Sequence, residues 1–393
     1  MPSLLFSLFC LLVLFSACAP PPLPVVAPPL PKELPREAPQ VEPEQPLLEK
    51  VGWEALPGWR DDELDAAFET FRRGCRALRF RPLWREVCAE AVSLEAPGRD
   101  EVRRYFEDNF TPHRVAQPNG ESSGLLTGYY VPDLQGSRTA TGEYRYPLFG
   151  RPDDLLVIDL SDLYPELGNY RLRGRVENQR VIPYWDRAAI DGENRPLAGR
   201  ELFWVADPVE LFFLHIQGSG RILFKDGSSV LVNYADQNGH PYRSIGKYLL
   251  DIGAMNRDQM SMQNIRAWAR DNPSQVDALL NQNPSYVFFR ELDAGYTSPP
   301  GSLGVPLTAG RSLAVDPRFI PLGAPVFIAS NWPNSSTPLQ RLMVAQDTGG
   351  AIKGAVRGDF FWGMGDQAGQ QAGRTKQRVN FWLLLPKSDK EAL

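Results

Sequence analysis

Histidine and cysteine are scarce in this 393-residue chain, with three of the first and four of the second. So few histidines (His113, His215, His240) exclude a His-rich metal site and leave a His-based triad few candidates. No His, Cys or Glu cluster falls at metal-ligand spacing, so the expectation is a protein without metal or cofactor. Basic excess is lacking as well: 42 Lys and Arg stand against 47 Asp and Glu, a net charge of −5. A nucleic-acid partner would call for a basic face. No Gly-rich phosphate fingerprint follows a strand, which leaves nucleotide chemistry without support. Internal repeats are missing, and no apolar run of comparable length follows residue 17.

What is present begins with that run. Residues 1–17 are apolar and uncharged and stop at Cys18. The length is short for a membrane span and right for the apolar core of a signal peptide. Ser16 and Ala17 before Cys18 resemble a bacterial lipoprotein cleavage box, so Cys18 is expected to become the lipidated N-terminus. Ala19 after it resembles the class sorted to the outer membrane. Several acyl chains on one residue meet the requirement for stable anchoring. The expected location is therefore the periplasmic face of the outer membrane, anchored in its inner leaflet. Residues 18–49 are dominated by proline and read as an extended, semi-rigid tether. Cys75 and Cys88 remain as a candidate disulfide in an oxidising compartment.

The remaining length accommodates two domains with real cores. Apolar spacing predicts helices over 61–78, 82–94 and 98–110. Residues 124–131 (GLLTGYYV) read as a strand. Short strand-like segments follow at 154–160, 200–205, 211–217, 219–224 and 229–234. Residues 244–283 turn helical again, and 305–385 read as β once more. This order lacks the regular alternation of a doubly wound sheet and favours small barrels.

The densest chemistry lies in 342–363, LMVAQDTGGAIKGAVRGDFFWG. An apolar run delivers Asp347 onto a Gly-rich turn, and Asp359 follows beside Phe360, Phe361 and Trp362. Two acids, one near polar backbone and one against apolar rings, can have their pKa values pushed apart. Aromatic neighbours also suit the apolar faces of sugars. "DTG" after an apolar run has the look of an aspartic protease, but that mechanism shares a proton between two such motifs and only one is present. A two-carboxylate glycosidase is a second reading; the spacing of its acids is not legible from sequence. A glycan-binding module without catalysis is the third.

Six segments together carry a resemblance: TGYY (127–130), QGSG (217–220), NYADQNGHPYRSIGK (233–247), NPSYVFFR (283–290), AVDPRFIPLG (314–323) and DTGGAIKG…DFFWG. In this order they resemble the membrane-bound lytic transglycosylase A family over most of residues 125–385. The resemblance implies an α+β chain with a double-psi β-barrel domain and helical N-terminal part (50–130 plus 291–386). A second β-rich domain (131–290) is inserted as the other wall of a glycan groove. It implies cleavage of the β-1,4 bond between N-acetylmuramic acid and N-acetylglucosamine in peptidoglycan, leaving a 1,6-anhydro-muramoyl end. Asp359 matches the catalytic acid and Asp347 its supporting acid. A carboxyl pressed against Phe360 and Trp362 has the raised pKa this role needs. The alternatives that stay open are a lipid-anchored peptidoglycan-binding protein and a two-carboxylate muramidase.

Thr127, Tyr130, Gln217, Ser219, Lys353 and Trp362 are the expected substrate contacts. Of Tyr129 and Tyr130, alternation in a strand expects one in the core and one exposed. His215 reads as a core histidine on an apolar strand, His240 as a loop residue and Asp316 as a turn residue. The partners expected are peptidoglycan glycan strands and the outer membrane, not nucleic acid. The chain is expected to be a monomer that a cell-wall enzyme complex recruits.

Overall fold

The computed structural model describes residues 45–387. The expected signal peptide, Cys18 and most of the expected tether lie outside the described residues. Leu47–Lys50, inside the stretch read as tether, pairs as a strand with Phe110–Ala116. Among the described residues, no helix is long and apolar enough to cross a membrane.

The fold is α+β. Helix Asp65–Leu78 buries Ala67, Phe68, Phe71, Cys75 and Leu78, which recur at the three- and four-residue steps of one helical face. A Cys75–Cys88 disulfide, with Cα atoms 5.2 Å apart, ties it to helix Arg85–Ser93. Helix Arg99–Asn109 follows, with Asp100 and Glu101 in its first turn, where acids complement the helix dipole.

A closed barrel of six strands comes next. Ser123–Val131 supplies one strand. Ser312–Val315, Pro325–Asn331, Pro338–Thr348, Arg357–Met364 and Lys376–Pro386 supply the others. Closure comes from Lys376–Pro386, which pairs with both Pro325–Asn331 and Ser123–Val131. Two of the pairings are parallel, joining Ser312–Val315 to Pro338–Thr348 and Arg357–Met364 to Ser123–Val131. The interior holds Leu126, Leu313, Val315, Ile328, Phe360 and Phe381, all essentially without exposure.

The helices dock on this barrel through buried polar links as well as apolar contact. Arg311 donates to the Asp62 carboxylate at 3.0 and 2.9 Å, and the Leu342 amide donates to it at 2.7 Å. Buried Gln346 donates to Thr70 O at 3.1 Å and accepts from Ser312 Oγ at 2.6 Å. Asp62, Arg311 and Gln346 thus have partners for their buried polar atoms, which avoids the desolvation penalty of leaving them alone.

Between the first and second barrel strands the chain builds a six-stranded sheet. Its order is Val287–Glu291, Ser229–Gln237, Ser219–Leu223, Asp133–Ser137, Glu201–Val205 and Tyr146–Phe149. A small three-stranded sheet contains Leu156–Val157, which is all of segment 154–160 that becomes a strand. The helical reading of 244–283 resolves into Ile245–Asp251, Met262–Asp271 and Val276–Leu280.

Two further elements differ from the sequence reading. Residues 211–217 are not a strand but part of helix Pro208–Gln217, so His215 sits on a helix. Asp207 Oδ1 caps it by accepting from the Val209 and Glu210 amides at 2.7 and 3.1 Å. Pro208 stands in the first turn, and Gly218 closes the helix in the left-handed region at φ 77°. The helix is nearly all apolar because Leu211 to His215 are all buried, which erased the periodic signal. Helix Gly365–Arg374 also appears inside the terminal region read as wholly β. Its Ala368, Gly369 and Ala372 face inward, and a Cβ at Gly369 would lie 2.7 Å from the Tyr130 ring. Small residues rather than large apolar ones make this packing, so hydrophobic spacing did not reveal it.

Candidate active site

Strand Arg357–Met364 runs between two neighbours. Asp359 pairs in register with Thr127 on one side and Ala314 on the other. Ala314 in turn pairs with Asp347, and Thr127 with Lys376. Residues directly opposite across strands share a face, so one row reads Lys376, Thr127, Asp359, Ala314, Asp347. Neighbouring strands lie about 4.8 Å apart, which sets the two aspartate Cα atoms roughly 10 Å from each other. Buried Ala314 fills the position between them.

Asp359 keeps part of its surface open. Thr127 Oγ1 donates to its Oδ1 at 2.7 Å, and Arg357 Nη2 donates to Thr127 Oγ1 at 2.8 Å. The guanidinium occupies a lone pair of the hydroxyl, which directs the hydroxyl's single proton at the carboxylate. Burial pushes the Asp359 carboxyl up to about 6; the Thr127 bond and the Arg357 charge oppose this, and the Asp347 charge adds to it. Among the causes, desolvation dominates.

Asp347 is bound differently. Ser302 N, Ser302 Oγ and Thr348 N all donate to its Oδ1, each at 2.9 Å. Burial raises its carboxyl, and those donors pull it back. Tyr129 lies by both acids: its hydroxyl is driven well above the ordinary phenol range by burial and then by the charges of Asp347 and Asp359. That hydroxyl is buried and turned toward Asp347 without completing a hydrogen bond.

Strand alternation decides which expected residues meet. Thr127, expected among the substrate contacts, faces Asp359. Trp362 does not: it shares the opposite face with Phe360, their rings 4.5 Å apart, and it donates to Thr375 Oγ1 at 2.9 Å. A Cβ on Gly128 would come within 2.6 Å of the Trp362 Nε1, so glycine there is what lets the indole pack against the strand. The rings beside Asp359 are instead Phe361 and Tyr129, with centroids 5.1 Å apart. Tyr130 is 4% exposed, packed under helix Gly365–Arg374 with its hydroxyl on Met262 Sδ at 3.5 Å. Tyr129 is only partly exposed, so neither tyrosine stands in solvent.

Gln217 and Ser219 reach the site through scaffolding contacts. Gln217 Oε1 accepts from the Tyr130 amide at 3.1 Å. Asn233 Nδ2 donates to Ser219 Oγ at 2.8 Å and to Pro300 O at 3.3 Å, next to the loop that holds Asp347. Lys353 is exposed on the turn after Asp347. Buried His215 meets Arg187 at 2.9 Å, and burial followed by that guanidinium lowers its pKa well below the usual range. Asp316 is a turn acid bound to Arg318 and to the Gly354 amide, and His240 sits in a loop against Tyr184 O. Arg357, Ser302, Tyr129 and Asn233 were not anticipated as site residues. Arg357 stands two residues before Asp359 in a strand, and that spacing alone places it on the same face. Among the described residues no three His, Cys, Asp or Glu side chains converge as a metal site would need.

A family model described as the MltA specific insert domain matches residues 125–290, and one described as the 3D domain matches 311–385. The crystal structure of MltA from Neisseria gonorrhoeae is 42% identical with a TM-score of 0.78, covering 88% of this chain and 94% of that one. The chain belongs to the membrane-bound lytic murein transglycosylase A family. The membrane-bound lytic murein transglycosylase A of Escherichia coli (strain K12) is 34% identical over 272 residues, which span 66% of this chain and 65% of that relative's own length. The structure of the E. coli family member with bound chitohexaose is 28% identical with a TM-score of 0.64, covering 88% of this chain and 95% of that one. The family's closed barrel is the fold described above.

Proposed function

We propose that the protein is a lytic transglycosylase that cleaves the β-1,4 bond between N-acetylmuramic acid and N-acetylglucosamine in peptidoglycan. The reading rests on one observation: at this site the Asp359 carboxyl is raised to about 6 and partly open, while its partner acid is already engaged by three donors. The relatives' shared name and the chitohexaose of the E. coli structure support the substrate class. In this reading the barrel (50–130 plus 291–386) and the insert (131–290) form two walls of a glycan groove, which the match of the insert model to 125–290 supports.

Protonated Asp359 donates its proton to the glycosidic oxygen as the bond to C1 breaks. The resulting carboxylate then takes the proton of the sugar's own C6 hydroxyl as that oxygen attacks C1, closing the 1,6-anhydro ring. The nucleophile is part of the substrate and already near C1, so no second base for water is required. Thr127 and Arg357 hold the carboxylate form, which keeps one group competent for both steps. With Oδ1 of Asp347 taking three donors, that acid supports the loop at Ser302 and the local charge instead of activating water, which disfavours a two-carboxylate muramidase.

Cys18 would carry the lipid that holds this activity at the periplasmic face of the outer membrane, with residues 19 onward as tether. Digestion of purified peptidoglycan sacculi followed by mass spectrometry tests the reaction. Anhydro-muropeptides are the expected product; reducing ends would indicate a hydrolase, and intact glycan a binding protein.

A further inference from the structure

An acidic chain carries one strongly basic segment. Residues 72–85, RRGCRALRFRPLWR, contain six arginines and no acid, against a net charge of −5 for the whole sequence. The structure folds this segment around a cleft of about 620 Å³ between the two disulfide-bonded helices. Arg72, Arg73, Arg76, Arg79 and Arg85 line it, over Cys75 and Cys88. Glu69, the acid among the lining residues, is paired with Arg72 at 2.8 Å. Among the described residues Arg76 and Arg85 make no hydrogen bond or ion pair, although both are exposed.

Apolar side chains stand beside these charges. Phe80 is 75% exposed, Leu83 51% and Val92 60%; Arg79 stacks over the Phe80 ring at 4.6 Å. Guanidinium forks suit phosphate oxygens, and exposed aromatic and aliphatic residues beside a cationic cluster suit the boundary between headgroups and acyl chains. A glycan strand, rich in hydroxyls, would gain little from Leu83 and Val92.

We propose that this arginine cleft and its rim of Phe80, Leu83 and Val92 form a docking surface for the anionic headgroups of a lipid bilayer. The contact is made by the folded body and is separate from the anchor at Cys18. It would hold the helical side of the barrel against the membrane.

Sedimentation of the full chain with phosphatidylcholine vesicles, and with vesicles that also contain phosphatidylglycerol, tests this. Binding through the N-terminus is common to both vesicle types, so the difference between them reports the body. The expected difference is about tenfold or more in favour of the anionic vesicles, declining as salt is raised. Arg76→Ala combined with Arg85→Ala, which breaks no internal contact, should remove most of that preference, and Phe80→Ser with Leu83→Ser should weaken it. Equal binding to both vesicles, or a preference untouched by the double arginine variant, would overturn the proposal. So would a preference for isolated peptidoglycan that the same variant abolishes, since the cleft would then bind glycan strands. No activity is measured, so these outcomes are independent of the enzymatic reading.

Discussion

Asp347 and Asp359 both pair in register with Ala314, one on each side of it. A buried methyl therefore separates two acids on the same face of the barrel wall. Each carboxyl keeps its own hydrogen-bond set, Ser302 and Thr348 for one and Thr127 for the other. Their coupling is through charge across that residue.

Substituting Asp359→Asn should abolish turnover, by about a thousandfold or more, because the proton donor is gone. Stability should move the other way. The folded carboxyl titrates at about 6 against a reference of 3.8, so the folded state binds the proton more tightly than the unfolded one. Its favourable contribution is complete below 3.8 and is lost as pH rises through 6. Above that, the ionised group costs the fold roughly 1–3 kcal/mol, which the neutral amide removes. Thermal melts of both proteins at pH 7.5, where the variant should melt higher, and at low pH, where the gap should close, check this.

The pH profile should show a descending limb near 6 as the acid ionises. Thr127→Val removes a donor to the carboxylate, and Arg357→Met removes a favourable charge; both should shift the limb to higher pH. Asp347→Asn removes a repelling charge and should shift it lower. Rates against pH for the three variants test the signs together, and a common direction would contradict the assigned surroundings of Asp359.

Ala314→Leu forces a larger side chain between the acids. The overpacking should cost about 1–3 kcal/mol of stability. Displacement of Asp359 from Thr127 should lower kcat/KM by about a hundredfold, since small misplacements at a reacting group are costly. Ala314→Gly at the same position should retain far more activity. Kinetics and denaturant melts of the two variants together separate displacement from simple loss of side chain.

Replacing Cys75 and Cys88 with alanine should destabilise the protein by about 2–4 kcal/mol, the usual effect of opening a loop of this length. Because the bridge joins two helices and neither cysteine is among the groups that act on Asp359, the pH limb should stay in place. Melts with and without reductant, beside the pH profile, measure both effects.

Parts of this were legible in the residues themselves. The three N-terminal helices followed from apolar spacing, and Asp347 and Asp359 stood out because an apolar run, a Gly-rich turn and an aromatic cluster bracket them. Helix Pro208–Gln217 carried its start and stop in Asp207, Pro208 and Gly218, yet its all-apolar body masked them. Trp362 and Tyr130 were misplaced for a different reason. Adjacency along a strand puts neighbours on opposite faces, and which face holds the acid depends on pairing with other strands.

The sequence by itself determined the kind of chemistry: few histidines, a pair of acids, two cysteines in reach of one another and a basic segment in an acidic chain. Only the tertiary structure decided how Asp359 is held and desolvated. Thr127 and Asp359 are 232 residues apart in the chain and bond at 2.7 Å. Closure of a barrel around an inserted sheet creates that contact, and desolvation at the resulting wall raises the carboxyl. Both effects arise from long-range packing, which local residue patterns do not encode.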